Sequence, residues 1–144
     1  KIITAGKGFS KYNIVIAKSA LSQKNLMPAL STKNKILVVT DSGIPKSYIS
    51  NLKKIIKGKK KIYIYEIPKG EKSKSFATYS KILSRLADLR FDRSDALIAF
   101  GGGVVSSFLV ISAAMVRNSA IRLTMLPTVS KAPSCTCKYE SAFW

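Results

Sequence analysis

Three consecutive glycines, Gly101, Gly102 and Gly103, stand between the apolar runs Ala96 to Phe100 and Val104-Val105. Positions without side chains, at the end of a strand-like run and the start of a helical one, let a backbone come close to a ligand. The first N–H groups of a helix have no intrahelical partner and carry partial positive charge, so such a turn can cradle a phosphate without a charged side chain. A tight turn with no ligand accounts for the glycines equally well. Further chemistry-bearing residues stand where other apolar runs end: Asp41-Ser42, the Pro68 to Lys74 loop with Gly70, Glu71 and Lys74, and Pro127-Thr128. Asp41 or Glu71 can accept hydrogen bonds from ribose hydroxyls, the glycine backbone can hold a pyrophosphate, and Lys74 adds positive charge. Singly, each has a local explanation: Asp41 as a helix cap or turn residue, Glu71 as a solvated loop charge, Lys74 as one more surface lysine.

The elements that must position these residues follow from periodicity. Tyr12 to Ile16 is a short β-prone run, and Ala17 to Leu30 has helical character through Ala20, Leu21, Leu26 and Met27. Lys35 to Thr40 is an almost wholly aliphatic strand. From Ile44 to Ile56 the apolar positions keep helical spacing, with Pro45 in the first turn and Gly58 at the end. Lys61 to Ile67 alternates as a half-exposed strand, and Ser75 to Leu89 carries the clearest helical stripe, Phe76, Tyr79, Ile82, Leu83, Leu86 and Leu89. A strand at Ala96 to Phe100, a helix over Val104 to Val116 and a strand at Ile121 to Leu126 complete the alternation. Strands alternating with helices predict an α/β fold, a mostly parallel sheet with helices on both faces, whose ligands bind beyond the C-terminal strand ends.

At 144 residues the chain fits one domain, and an apolar fraction of 47% argues against disorder. A formal charge of +18 implies anionic partners without choosing among nucleic acid, membrane surface and phosphorylated ligands. Many lysines (Lys53, Lys54, Lys57, Lys59, Lys60, Lys61) gather at one helix end and loop, where they are solvated or assist a helix C-terminus. The absence of histidine removes the commonest general base and transition-metal ligand, and Cys135 and Cys137 read as reduced thiols, so no metal is assigned. Ala96 to Val116 is 21 residues without a charge, yet three glycines and two serines break it, and strand, loop and helix is the better reading than a membrane span. Lys1 to Ser10 has no apolar signal region, and the missing initiator Met leads us to expect a fragment.

Taken together, KILVVTD (Lys35 to Asp41), PKGEKSKS (Pro68 to Ser75, similar to a P-x-G-E-x-x-K loop), FDRS (Phe91 to Ser94) and ALIAFGGGVV (Ala96 to Val105) resemble, in this order and spacing, the N-terminal domain of 3-dehydroquinate synthase. The resemblance covers residues 12 to 105, with a looser continuation to Pro127-Thr128. Other sugar-phosphate cyclases share much of the pattern, and glycerol-dehydrogenase-like enzymes share the fold; both rank second. The resemblance implies a Rossmann-like NAD-binding α/β domain over residues 1 to 144 of a cytoplasmic shikimate-pathway lyase. Such an enzyme uses NAD and a divalent metal, zinc or cobalt, to convert 3-deoxy-D-arabino-heptulosonate 7-phosphate, a small phosphorylated sugar acid, to 3-dehydroquinate with loss of phosphate. Asp41, Gly70, Glu71, Lys74, Gly102, Gly103, Val104, Val105 and Thr128 match its cofactor-binding positions. An intact enzyme of this family is expected to be a homodimer.

The departures begin directly after the glycine turn. The family continues with Gly-Asp where this chain has Ser106 and Ser107, so a cofactor-contacting carboxylate is missing. Val129 replaces the second threonine of the family's P-T-T turn, and the D-S-S-V-G-G-K segment is not recognisable in Ser130 to Trp144. The family's metal ligands, a Glu and two His of a C-terminal helical domain, have no counterpart, and no catalytic residue carries over. We therefore expect a truncated or frame-disrupted product, divergent over residues 106 to 144 and inactive by itself; an incomplete piece of a longer, divergent chain is the other explanation. Ser134 to Tyr139 shows no pattern that continues a sheet. Two readings outside this class are a non-catalytic basic domain binding anions or nucleic acid, and a chain that does not fold stably. No aromatic-interleaved basic strand or recognition helix supports specific nucleic-acid binding.

Overall fold

The computed structural model describes residues 2–5, 12–17, 21–56, 58, 60–92, 94–108 and 136–139. Its centre is a parallel sheet in the order β4-β3-β5, formed by β3 (Lys35–Asp41), β4 (Lys61–Ile67) and β5 (Ala96–Phe100). Val38 aligns with Ile64 on one side and Ile98 on the other. Parallel neighbours need long crossovers, and helices supply them: α2 (Lys46–Ile55) joins β3 to β4, and α3 (Phe76–Asp88) joins β4 to β5.

Strand alternation sends side chains to two separate cores. Ile36 and Val38 of β3 with Ala96, Ile98 and Phe100 of β5 pack on Leu26 and Leu30 of α1 (Gln23–Leu30) and on Ile49, Leu52 and Ile56. Leu37 and Val39 with Leu97 and Ala99 face the other way, onto Tyr79, Ile82 and Leu86 of α3 and onto Val105 and Phe108. β3 and β5 are therefore buried on both faces, which is why both read as continuous apolar runs; β4, at the edge, is only half-buried along most of its length. The expected sheet with helices on both faces is thus present over residues 35–108, with residues 103–108 opening a helix after the glycines.

Elsewhere the structure differs from expectation. Tyr12–Ala17 (β2) does not join the parallel sheet but forms an antiparallel one with Ile2–Ala5 (β1) and Thr136–Tyr139 (β6), in the order β1-β2-β6. The reading of Ser134 to Tyr139 as unable to continue a sheet is thereby corrected, because Thr136–Tyr139 pairs along Ile14 to Ala17. A four-residue edge strand is held by its partner's backbone and leaves almost no period to detect. Helix α1 starts at Gln23, not Ala17, because Ser22 is extended (φ −139°, ψ 157°), and Pro28 lies inside the helix. Pro45 is the cap before α2, not a residue of its first turn. The remainder of the helix expected to Val116, the strand at Ile121 to Leu126, and Thr128, Val129 and Cys135 lie outside the described residues.

The end of the sheet where the strands start is held by two lysines. Lys35 Nζ contacts Asp95 Oδ2 at 3.2 Å, donates to the carbonyls of Leu89 and Arg90, and lies 5.3 Å from the centre of the Phe91 ring. Lys60 Nζ donates to the carbonyls of Leu30, Ser31 and Lys33, closing the C-terminus of α1, while Lys53, Lys54 and Lys61 are exposed. Lys60 therefore caps a neighbouring helix, not the one it follows.

Candidate functional site

The C-terminal ends of β3, β4 and β5 bring together residues 41–45, 68–74 and 101–103, and the first contacts are between their backbones. Ser42 N–H donates to the Ile67 carbonyl at 2.9 Å, and Lys69 N–H donates to Ser42 Oγ at 3.1 Å, tying the loop after β4 to the loop after β3. Asp41 is held by its own turn: Gly43 N–H donates to Asp41 Oδ1 at 2.8 Å, and Ile44 N–H donates to the Asp41 carbonyl at 3.1 Å.

The third loop meets this carboxylate directly. A Cβ at Gly101 would lie 2.9 Å from Asp41 Oδ2 and 2.7 Å from Val105 Cγ2, so only glycine lets the end of β5 pass between them. Gly102 and Gly103 differ, since a Cβ at either would meet nothing within 4 Å. The turn thus presses inward at Gly101 and is open outward at Gly102 and Gly103, the form a backbone cradle for an anion requires. Helical residues 103–108 follow, with Ser106 N–H donating to the Gly102 carbonyl at 3.2 Å.

Gly70 takes φ +100°, a conformation that side chains disfavour, and starts a single turn of 3-10 helix, Glu71–Ser73. Ser73 is buried with its hydroxyl donating to the Pro68 carbonyl, which leaves Glu71 and Lys74 exposed on the outside of the loop. Ser75 then caps α3, accepting from Thr78 N–H at 3.3 Å.

Among the expected site residues, Asp41, Gly102, Gly103, Val104 and Val105 lie at one strand-end turn and its neighbour, and Gly70, Glu71 and Lys74 lie on the loop fastened to it through Lys69. Val105 is fully buried and Val104 is partly buried, so these valines pack into the core beneath the turn. Sequence reading missed Ser42, Gly43, Lys69 and Gly101 as the residues that join the loops. The Asp-x-Gly spacing of 41–43 was a visible turn signal, whereas nothing local marked Gly101 off from its two neighbours.

A parallel α/β sheet with helices on both faces, carrying a glycine turn and a carboxylate at its strand ends, defines a Rossmann-like fold. Its fold is that of the sugar-phosphate cyclases. The solved structure of 2-deoxy-scyllo-inosose synthase matches with a TM-score of 0.74 at 19% identity, over 89% of this chain and 36% of that one. Another structure of that enzyme holds carbaglucose-6-phosphate, NAD+ and Co2+. The 2-epi-5-epi-valiolone synthase of Streptomyces hygroscopicus, with NAD+ and Zn2+ bound, matches with a TM-score of 0.60 at 20% identity, over 74% and 30%. Residues 64–133 match the family model for the 3-dehydroquinate synthase N-terminal domain, and the chain belongs to that family. It is 33% identical over 119 residues to the 3-dehydroquinate synthase of Campylobacter concisus, covering 81% of this chain and 34% of the relative. It is 37% identical over 100 residues to that of Clostridium acetobutylicum, covering 68% and 28%. The chain spans about a third of the length of the curated relatives it matches.

Proposed function

We propose that this chain supplies the NAD-binding part of a 3-dehydroquinate synthase, which converts 3-deoxy-D-arabino-heptulosonate 7-phosphate to 3-dehydroquinate with loss of phosphate. The observation that carries the reading is the pairing of Asp41 with a glycine turn whose outer side is open. The residues fit the cofactor: the backbone of Gly102 and Gly103 borders open space, and Asp41 offers carboxylate oxygens beside the same turn at Gly101. When bound, NAD supplies reversible hydride transfer at a substrate hydroxyl. The chain's own residues bind and orient. The backbone of Gly102 and Gly103 faces the pyrophosphate, Asp41 and Glu71 accept from ribose hydroxyls, and Gly70 and Lys74 shape and charge the rim. Val104, Val105 and Thr128 complete the cofactor set by their match to the family pattern.

The metal is a different matter. The chain has no histidine, and among the described residues no group of three or more Cys, Asp or Glu could hold an ion. These residues do not fit zinc or cobalt, so no step is derived through a metal, and we assign to this chain cofactor binding without turnover of its own. Among the described residues no helix is long and apolar enough to cross a membrane. A cytoplasmic location and homodimerisation of an intact enzyme belong to the same proposal.

Calorimetric titration of NAD into the full chain tests it. Saturable binding is expected, and Asp41→Asn, which keeps the size of the side chain, is expected to weaken it by about tenfold. Gly101→Ala, which forces a methyl against Asp41 and Val105, is expected to weaken it at least as much. No saturable signal at millimolar NAD in the unaltered chain, with cooperative unfolding intact, overturns the reading.

A further inference from the structure

One turn beyond the glycines, two serine hydroxyls are committed to the backbone of the turn itself. Ser106, 4% exposed, places Oγ 2.9 Å from the Gly103 carbonyl oxygen and 3.3 Å from that of Gly102, so its proton is shared between both. Ser107 Oγ donates to the Gly103 carbonyl at 2.8 Å. Serines inside helices often bond back to carbonyls three or four positions earlier. Here the acceptors are the two glycines at which, among the described residues, an added Cβ would meet nothing within 4 Å. Glycine loses more conformational freedom on ordering than any other residue. A glycine turn that is ordered only by its ligand therefore binds that ligand more weakly than one already fixed.

We propose that Ser106 and Ser107 are positioning residues that fix Gly102 and Gly103 in the anion-binding conformation before a ligand arrives. The inference rests on the nucleotide reading above. The serines hold the turn from the helix side and leave its open side to the pyrophosphate. They touch the carbonyls, not the ligand, and act through the backbone.

The test uses the full chain with Ser106→Ala, Ser107→Ala, the double variant and the conservative Ser107→Thr, which keeps the hydroxyl. Two quantities are read: amide hydrogen exchange along the chain, and affinity for NAD and for inorganic pyrophosphate. In the double variant, exchange is expected to quicken at residues 101–106 and nowhere else, and affinity for both ligands to fall about tenfold. Ser107→Thr is expected to retain the affinity that Ser107→Ala loses. Should the buried Ser106→Ala fail to fold, the comparison of the two residue 107 variants still decides. Unchanged affinity in the variants, or exchange raised evenly along the chain as from a general loss of packing, overturns the proposal. If the unaltered chain binds neither ligand, the nucleotide reading falls and this inference with it. If the unaltered chain binds and the double variant binds as well, this inference alone falls.

Discussion

Two aspartates sit in the same local motif at opposite ends of the sheet. Asp41 Oδ1 accepts from the N–H of Gly43 two positions on, and Asp92 Oδ1 accepts from the N–H of Ser94 at 2.7 Å and from its hydroxyl at 2.6 Å. In Asp92 the bond from the Ser94 hydroxyl, followed by that from the Ser94 N–H, holds the carboxyl below the ordinary carboxylate range. A carboxyl depressed in the folded state contributes stability that is present above its unfolded pKa and is lost as pH falls through the folded one. Ser94→Ala is therefore expected to move the Asp92 titration up towards the ordinary value, as followed by carboxyl-carbon NMR, and to bring the acid loss of that contribution to a higher pH. An unmoved Asp92 titration in the variant contradicts this assignment. Asp41-Ser42-Gly43 and Asp92-Arg93-Ser94 are both ordinary turn patterns in the sequence, and nothing in either marks one as a site. The difference is the Gly101 backbone lying against Asp41.

At the scale of elements, buried contacts at the starts of the strands hold the parallel sheet in register. Asp95, 2% exposed, accepts from the N–H of Lys35 at 2.9 Å through Oδ1 and from the N–H of Asp92 at 2.9 Å through Oδ2, and pairs with Lys35 Nζ. It thus joins the first residue of β3 to the turn that starts β5. Asp95→Ala orphans two backbone donors and removes the ion-pair partner of Lys35, and is expected to cost about 2–4 kcal/mol, the partial exposure of Lys35 and its remaining bonds to the Leu89 and Arg90 carbonyls keeping it from the top of the range for buried pairs. Urea unfolding measures it, and a loss below about 0.5 kcal/mol, the size of an ordinary surface substitution, counts against this role. The helix ends repeat the pattern: α3 closes with Phe91 N–H on the Leu86 carbonyl and Arg90 at φ +50°, a left-handed cap made without glycine. Nothing in the sequence marks this cap, because an arginine in that conformation has no compositional signal. Long elements were legible for the opposite reason. The stripe of Ser75 to Leu89 and the apolar β3 and β5 repeat their message over several residues, whereas β1 and β6 are four residues each.

For the whole molecule, charge sets the behaviour in solution. With 25 Lys and Arg against 7 Asp and Glu, self-repulsion opposes the compact state and is screened over about 10 Å at 0.1 M salt. Thermal unfolding is accordingly expected to shift upward as sodium chloride rises from about 0.05 to about 0.5 M. A midpoint that falls over this range indicates that attractive ion pairs such as Lys35–Asp95 outweigh the repulsion.

The sequence by itself determined the alternation of strand and helix over residues 35–108, the family, and the three loops in which the candidate site lies. These are local patterns, repeated often enough along the chain to be read without a partner. Only the tertiary structure decided that β2 leaves the parallel sheet, that Lys60 closes a helix it does not belong to, and that Gly101 rests against Asp41. Each of those depends on residues distant in the chain. The parallel register that sets Thr40 beside Phe100 brings the next residues, Asp41 and Gly101, to one point, and no local pattern records that approach.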